Sequence, residues 1–129
     1  LFSGKKSGLI ADAKVYHKRR TNLYNFFQQM FKSGKGRHYL NLKYKGTFRF
    51  FHLFPTFFVL GFFISNISDI FFQNDYVSLV QSLYGFYFSL IFLSSTIINF
   101  NPLIGILSVI TSFVQFLGYG TGYIYSQFK

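Results

Sequence analysis

The chain has 129 residues, with 13 Lys and Arg against 3 Asp and Glu, no cysteine and a formal net charge of +10. This length is enough for one domain at most. Half of the residues are apolar and 24% are aromatic, while 12% are charged, against about 25% in an ordinary soluble domain. The lack of cysteine excludes disulfides and thiolate nucleophiles. The only acids are Asp12, Asp69 and Asp75, which excludes a paired-carboxylate catalytic site within one short segment.

The positive charge is concentrated in the first part of the chain. Residues 1–49 hold twelve of the thirteen Lys and Arg, whereas residues 50–128 hold none. A basic segment followed by a nearly uncharged aromatic one is typical of a cytoplasmic or membrane-surface segment that leads into a membrane domain. Nucleic acid is not expected as a partner, because no recognised motif accompanies the charge and an anionic lipid surface attracts the same residues. A soluble all-α domain with buried helices is the alternative to a membrane fold.

The basic half predicts two short extended pieces followed by a helix. Residues 8–17 alternate apolar and polar side chains around a turn, with Val15 and His17 on one face. Thr21 or Asn22 is suited to cap a helix of about ten residues, and we expect glycines 34 and 36 to end it. Its apolar stripe predicts a helix that lies in the membrane interface, or alternatively a core-facing helix of a preceding domain. The stripe consists of Leu23, Phe26, Phe27, Met30 and Phe31.

Three apolar stretches are long enough to cross a bilayer, which takes about 20 helical residues. We predict spans over about residues 50–67, 77–98 and 103–125. Pro55 is expected to start or kink the first span, residues 66–76 to form a polar connection, and residues 99–102 to form a tight turn. The glycines of the third stretch should let helices approach closely. That stretch is the weakest of the three, and a re-entrant third segment would leave two spans.

Lysine and arginine beside the first span predict the orientation. Lys43, Lys45 and Arg49 come directly before it, so the positive-inside rule places the amino-terminal half in the cytoplasm. Three spans would then leave Lys129 on the far side. Five tyrosines are candidate anchors at the membrane interface, namely Tyr84, Tyr87, Tyr119, Tyr123 and Tyr125.

Three segments of the chain resemble a known family when taken in order. They are IADAKVYHKRRTNLYNFFQQMFKSGKGR, HLFPTFFVLG and GYGTGYIY, which begin at Ile10, His52 and Gly118. Together they resemble the carboxy-terminal part of bacterial membrane-bound family 2 glycosyltransferases, which have a catalytic GT-A domain followed by membrane helices. The resemblance implies that residues 1–21 are the tail of a cytoplasmic GT-A domain, with a short α/β remnant. Residues 22–49 would form the interfacial amphipathic helix and a basic linker, and residues 50–129 the transmembrane region.

The resemblance also implies roles for particular residues. His17 matches a family histidine that contacts the metal ion or the diphosphate, with a divalent Mn²⁺ or Mg²⁺ as the expected cofactor; the alternative is a structural histidine. Lys18, Arg19 and Arg20 would bind the departing diphosphate, where negative charge develops, or alternatively anionic lipid. A further set, Gln28, Gln29 and Arg37, would lie near the acceptor. These three loosely resemble the Gln-x-x-Arg-Trp motif of processive synthases, but the Trp is missing and the spacing differs, so processive synthesis is not supported.

The resemblance therefore leads to the hypothesis of a carboxy-terminal fragment of an inverting, metal-dependent transferase in the bacterial inner membrane. It would transfer a sugar from a nucleotide-diphosphate sugar to a lipid-linked or polysaccharide acceptor. The catalytic base and the metal-binding acidic motif are expected before Leu1, so no catalytic residue is assigned here and the fragment alone is expected to be inactive. The alternative is a small non-catalytic membrane subunit whose basic half binds anionic lipid or an acidic partner.

Overall fold

A computed structural model describes Gly8 and residues 22–44, 46–71 and 74–128, and this part of the chain is helical with no β-strand. The helices are α1 (Leu23–Lys43), a 3₁₀ helix (Phe50–Leu53), α2 (Phe54–Phe71), α3 (Asp75–Asn99) and α4 (Pro102–Gln127). Three helical stretches in the described part of the chain are long enough and apolar enough to cross a membrane: Phe50–Phe71, Asp75–Asn99 and Pro102–Gln127. The prediction of a mainly α membrane protein is confirmed to that extent. The α/β remnant predicted within residues 1–21 lies outside the described residues, apart from Gly8.

The polar connection predicted between the first two spans is shorter than expected. Helix α2 continues to Phe71 and α3 begins at Asp75, so most of residues 66–76 are helical and this prediction was wrong. The Asn66 side chain bonds inside the helix, since its amide donates to the Phe62 carbonyl at 2.7 Å. Asn74 caps α3 by accepting the Val77 backbone N–H at 3.0 Å.

Helix α1 is twice as long as predicted. It begins after Asn22, whose side chain accepts the Tyr24 backbone N–H at 2.8 Å, so that predicted cap is confirmed. It does not stop at Gly34 and Gly36 but runs on to Lys43. Gly34 is buried, and a Cβ atom at this position would meet the backbone of Tyr119 in α4. This glycine therefore serves close helix packing rather than helix termination.

Helix α1 lies against the second half of α4, with two glycines of α4 at the contact. A Cβ atom at Gly118 would stand 2.8 Å from Met30 Cβ and 2.9 Å from the Phe27 carbonyl oxygen. One at Gly122 would stand 2.9 Å from Phe31 Cα. The close approach predicted for these glycines is confirmed. Part of the apolar stripe predicted to enter the acyl boundary is thus packed on a neighbouring helix.

The contacts between α1 and α4 advance along both helices in the same direction. Towards the end of α4, a hydrogen bond of 2.9 Å joins His38 Nδ1 and the Gln127 side-chain amide. The His38 ring also packs edge-on against the Tyr123 ring. The ammonium group of Lys35 lies 5.1 Å from the Tyr125 ring centroid. The end of α4 and helix α1 therefore occupy the same end of the bundle. Lys129 lies outside the described residues, and its expected position on the side of the membrane opposite to the amino-terminal half stays a prediction.

Helices α3 and α4 form an antiparallel hairpin. Phe100 joins them with φ 50 in the left-handed region, and Asn101 caps α4 by accepting the Leu103 backbone N–H at 2.9 Å. Pro102 is the first residue of α4. The predicted turn is confirmed. Farther along the hairpin, the hydroxyls of Ser95 and Ser108 share a hydrogen bond of 2.6 Å.

Helix α2 crosses this hairpin obliquely. A Cβ atom at Gly120 would lie 3.1 Å from the Pro55 carbonyl oxygen, which puts the start of α2 near the end of α4. Phe71 precedes Asp75 by four residues, so their Cα atoms are at most about 15 Å apart. Asp75 also lies at that end of the hairpin, as it begins α3. Both ends of α2 therefore lie in the half of the hairpin that is farther from Phe100, so this helix, which is about 27 Å long, cannot run parallel to α3 and α4.

An aromatic cluster fills the crossing of α2, α3 and α4. The Phe58 ring lies 4.5 Å from the Phe116 centroid and 4.9 Å from that of Tyr84. The Phe62 ring lies 5.2 Å from that of Phe113. The Tyr84 hydroxyl donates to the Phe58 carbonyl at 2.9 Å. This predicted interface anchor is therefore bonded inside the bundle.

Candidate functional site

A polar pocket of about 310 Å³ lies where α1, the loop that follows it and the 3₁₀ helix meet. Two guanidinium groups and an imidazole line it, and no carboxylate is found among its described lining residues. We call it the basic pocket, and its lining is Arg37, Gly46, Thr47, Arg49 and His52. The lining combines positive charge with hydrogen-bond donors and leaves that charge without a neutralising acid in the described part of the chain.

Arg37 enters the basic pocket from α1, next to the residues that hold α1 on α4. Its side chain is half-buried and interacts with the Tyr119 hydroxyl of α4. The following residue, His38, bonds to Gln127 at the end of the same helix. Arg37 therefore lies beside Tyr119 at this end of the bundle. Its guanidinium has five N–H donors, and most of them are left for a ligand in the pocket.

A tight turn brings the next wall of the pocket into place. The Thr47 backbone N–H donates to the Tyr44 carbonyl at 3.2 Å, and the Thr47 hydroxyl donates to the same oxygen at 2.8 Å. Gly46, before it, has φ +93, a conformation that favours glycine over residues with a Cβ atom. Because the Thr47 hydroxyl proton is engaged in the turn, the donors that remain for a ligand come from the arginines and the histidine.

His52 is oriented by the backbone of the residue that starts the 3₁₀ helix. The Arg49 backbone N–H donates to His52 Nδ1 at 3.2 Å. In the neutral ring the proton is then on Nε2, which leaves that nitrogen as a donor. The side chain of Arg49 is exposed beside it. This pair adds a positive charge and a neutral hydrogen-bond donor to the pocket wall.

Two buried polar side chains close to the pocket lack a hydrogen-bond partner. Both polar atoms of the Asn41 amide and the hydroxyl of Thr56 are buried in this way. Asn41 follows Arg37 by four residues and Thr56 follows His52 by four, so each lies about one helical turn away. Buried polar groups are nearly always hydrogen-bonded. These atoms are closed off from solvent, so they mark unsatisfied polar groups beside the pocket and are not part of its accessible wall.

The chemistry of the basic pocket suits an anion with several acceptor oxygens. Arginine pairs with phosphate through two parallel N–H···O bonds, and these charge-assisted bonds are stronger than neutral ones. The described lining offers no carboxylate base and no thiol or free hydroxyl nucleophile. The arrangement is suited to binding a phosphate group.

The structure brings one of the predicted acceptor-site residues into this pocket and leaves two outside. Arg37 lines it, whereas Gln28 donates to the Tyr24 hydroxyl at 3.2 Å and Gln29 is exposed on the side of α1 away from α4. Arg37 follows Gln28 by nine residues, which places it about half a turn around α1 and about 13 Å along it. The three side chains therefore do not form a single site.

The residues expected to contact the diphosphate and the metal ion lie outside the described part of the chain. These are His17, Lys18, Arg19 and Arg20. Among the residues that the structure describes, no group of three or more His, Cys, Asp or Glu side chains could hold a metal ion. The prediction of a Mn²⁺ or Mg²⁺ contact at His17 is not tested by the described residues and stays a prediction.

Three lining residues were not predicted as parts of a site. Arg49 was interpreted only as a flanking charge, His52 only as a residue near the basic flank, and Thr47 was not considered. The three-residue spacing of Arg49 and His52 at the start of a helix was a usable signal, because it allows the histidine ring to reach back to the backbone N–H.

Comparison of the chain with protein-family models, curated proteins and solved structures finds no match.

Proposed function

We propose that this chain is the carboxy-terminal membrane region of a membrane-bound family 2 glycosyltransferase. The whole enzyme would transfer a sugar from a nucleotide-diphosphate sugar to a lipid-linked or polysaccharide acceptor at the bacterial inner membrane. Its amino-terminal half would lie on the cytoplasmic side of the membrane, with α1 packed along the second half of α4. The proposal draws on the ordered resemblance of residues 10–37, 52–61 and 118–125 to that family.

One structural observation supports it best, namely the packing of α1 on α4. A transferase that acts on a membrane-delivered acceptor must hold its catalytic domain at a fixed height over the bilayer, because reacting groups have to meet in a defined geometry. Helix α1 begins at Leu23, three residues after Arg20, which ends the basic run Lys18–Arg20. Its contacts at Gly118 and Gly122 tie that start to a helix long enough to span a membrane.

The proposal gives separate tasks to the two parts of the basic half. Lys18, Arg19 and Arg20 would stabilise negative charge on the departing diphosphate, and His17 would contact the diphosphate or its divalent cation. The carboxylate that deprotonates the acceptor would come from sequence before Leu1. Helix α1 would transmit the position of the bundle to these residues without taking part in the reaction.

The test begins with the gene sequence upstream of Leu1. We expect an open frame that encodes alternating strands and helices and an Asp-x-Asp motif. The encoded full-length protein, purified in detergent, should then bind a nucleotide-diphosphate sugar and transfer sugar to a lipid extract of its own membrane. The His17→Ala variant should lose turnover, while Tyr16→Phe, one residue earlier, serves as a matched control and should retain it.

Two outcomes contradict the proposal. A start codon directly before Leu1, together with a stable short product, would identify the small non-catalytic membrane subunit instead. A full-length protein that neither binds nucleotide sugars nor responds to His17→Ala would remove the transferase assignment and the role of His17 with it.

A further inference from the structure

We propose that the basic pocket binds the phosphate group of a membrane lipid. The hydrocarbon chain of that lipid would follow the neighbouring aromatic groove at the start of α2. This inference rests on the geometry of the described residues and does not depend on the transferase proposal. It applies equally to an enzyme and to a non-catalytic membrane subunit.

The charge of the pocket supports a phosphate ligand. Arg37 and Arg49 reach the same cavity from two different elements, and the described lining supplies no acid to neutralise them. Two converging guanidinium groups offer enough N–H donors to contact several oxygens of one phosphate. His52 adds a neutral donor, since its Nδ1 already accepts from the Arg49 backbone at 3.2 Å.

The height of the pocket along the bundle supports a lipid as the carrier of that phosphate. Helix α4 begins at Pro102, beside a polar turn, and a hydrocarbon core of about 30 Å takes about 20 helical residues. Counted from Pro102, the core then ends near Gly122. Arg37 interacts with Tyr119, and Pro55 lies beside Gly120. The basic pocket therefore lies within about one helical turn of the edge of the hydrocarbon core, and the headgroup region that holds the lipid phosphates begins at that edge.

An apolar groove beside the pocket supports a ligand that also carries a hydrocarbon chain. This groove has a volume of about 400 Å³ between α2 and α3. Its first residue, Phe54, follows His52 by two positions, and the ring of Phe57 lies 6.2 Å from that of Phe50 in the 3₁₀ helix. A phosphate-bearing lipid has both parts, so we assign one molecule to both features. The groove is lined by Phe54, Phe57, Phe58, Val80, Leu83, Tyr84 and Tyr87.

The experiment measures binding of dioctanoyl phosphatidate to the full-length protein in a zwitterionic detergent. Radiolabelled lipid gives the dissociation constant, and native mass spectrometry gives the number bound per chain. Glycerol 3-phosphate provides the phosphate without the chains, and dioctanoylglycerol provides the chains without the phosphate. We expect one tightly bound phosphatidate and at least about tenfold weaker binding of either fragment.

The variants test which charges form the site. We expect Arg49→Gln and Arg37→Gln each to weaken phosphatidate binding by about tenfold or more, as for the loss of a hydrogen bond to a charged group. Lys43→Gln removes the same charge from the end of α1, where the ammonium group lies over the Tyr44 ring and does not line the pocket. Its binding should stay within about threefold of the parent value.

Three results would overturn the inference. Equal losses for Lys43→Gln and Arg49→Gln would mean that the basic surface attracts lipid without a defined site. Glycerol 3-phosphate as tight as phosphatidate would identify a site for soluble phosphate. Dioctanoylglycerol as tight as phosphatidate would leave the groove without a phosphate site beside it.

Folding is controlled by the choice of positions. Arg49 is exposed, so its variant is expected to keep the helix content and melting temperature of the parent. Arg37 also interacts with Tyr119, and the Tyr119→Phe variant separates that interaction from ligand binding. A loss of binding in Tyr119→Phe equal to that in Arg37→Gln would assign the effect of Arg37 to packing and refute its contact with the ligand.

Discussion

A pair of glycines in α1 allows a direct test of how this helix is held. Gly34 is buried against α4, where a Cβ atom would lie 2.9 Å from the Tyr123 backbone nitrogen, whereas at Gly36 a Cβ atom would meet nothing within 4 Å. Both residues lie inside the same helix, two positions apart. Replacing either by alanine brings the same gain in helix propensity of about 1 kcal/mol. The difference between the two variants therefore isolates the contact with α4.

We predict that Gly34→Ala is less stable than Gly36→Ala by about 1–3 kcal/mol, the usual cost of overpacking a close contact. The atoms that a Cβ at position 34 would meet belong to the backbone of Tyr119 and Tyr123, so a side-chain rotation cannot relieve the contact. Helix α1 would have to move away from α4. Gly36→Ala should equal or exceed the parent chain in stability.

The assay uses the absence of native cysteine from this sequence. The substitutions His38→Cys and Gln127→Cys replace two residues whose side chains are 2.9 Å apart across the α1–α4 contact. The rate of cross-linking by a short bis-maleimide, measured over a denaturant series, gives the docking free energy, in which every 1.4 kcal/mol is about a tenfold change in the equilibrium constant. Equal docking free energies in Gly34→Ala and Gly36→Ala would refute the packing of α1 described above.

Three further predictions concern the rest of the bundle. Tyr84→Phe removes the hydrogen bond to the Phe58 carbonyl and should lower the free energy of unfolding by about 0.6–1.7 kcal/mol in detergent, whereas an unchanged value would show that this bond does not join α2 to α3. Phe100→Gly should raise it by about 0.5–1 kcal/mol, because Phe100 is exposed with φ 50 and glycine adopts that region without a steric penalty. Finally, single cysteines that replace Lys43 and Phe128 should react with an impermeant maleimide added on the same side of the membrane. A cysteine that replaces Phe100 should react with the reagent added on the other side. Labelling of Lys43→Cys and Phe128→Cys from opposite sides would contradict the bundle geometry.

Features that depend on neighbouring residues in the chain were predictable. Asn22 and Asn101 cap their helices because a short side chain can accept a backbone N–H two residues ahead. Pro55 and Pro102 stand at helix starts, where a missing N–H carries no cost. Each of these is decided within one turn of helix, so the order of residue types is sufficient.

Features that depend on a partner helix were not predictable in the same way. Gly34 has the sequence pattern of a helix end, and only the backbone of Tyr119 beside it shows that it serves packing. Likewise, Asn66 and Asp69 indicated a loop, although α2 continues through both to Phe71. Local polarity does not report whether a side chain finds a hydrogen bond inside a helix.

The candidate site shows the same division. Arg37 was identified through a loose resemblance to the Gln-x-x-Arg-Trp motif, but its expected partners Gln28 and Gln29 lie on other faces of α1. Its actual neighbours, Arg49 and His52, are more than ten residues away in the sequence. The turn at Gly46 and Thr47 brings them back to α1, and no periodicity within a single helix encodes that return.

The sequence by itself determined that this chain has a basic segment followed by three long apolar helices, because length, charge and hydropathy act additively along the chain. The direction of α1 along α4, the oblique path of α2 and the convergence of two arginines on one pocket were decided only by the tertiary structure. These features arise from pairwise contacts between distant residues, such as Pro55 with Gly120. Such contacts depend on shape complementarity between surfaces, which residue type alone does not specify.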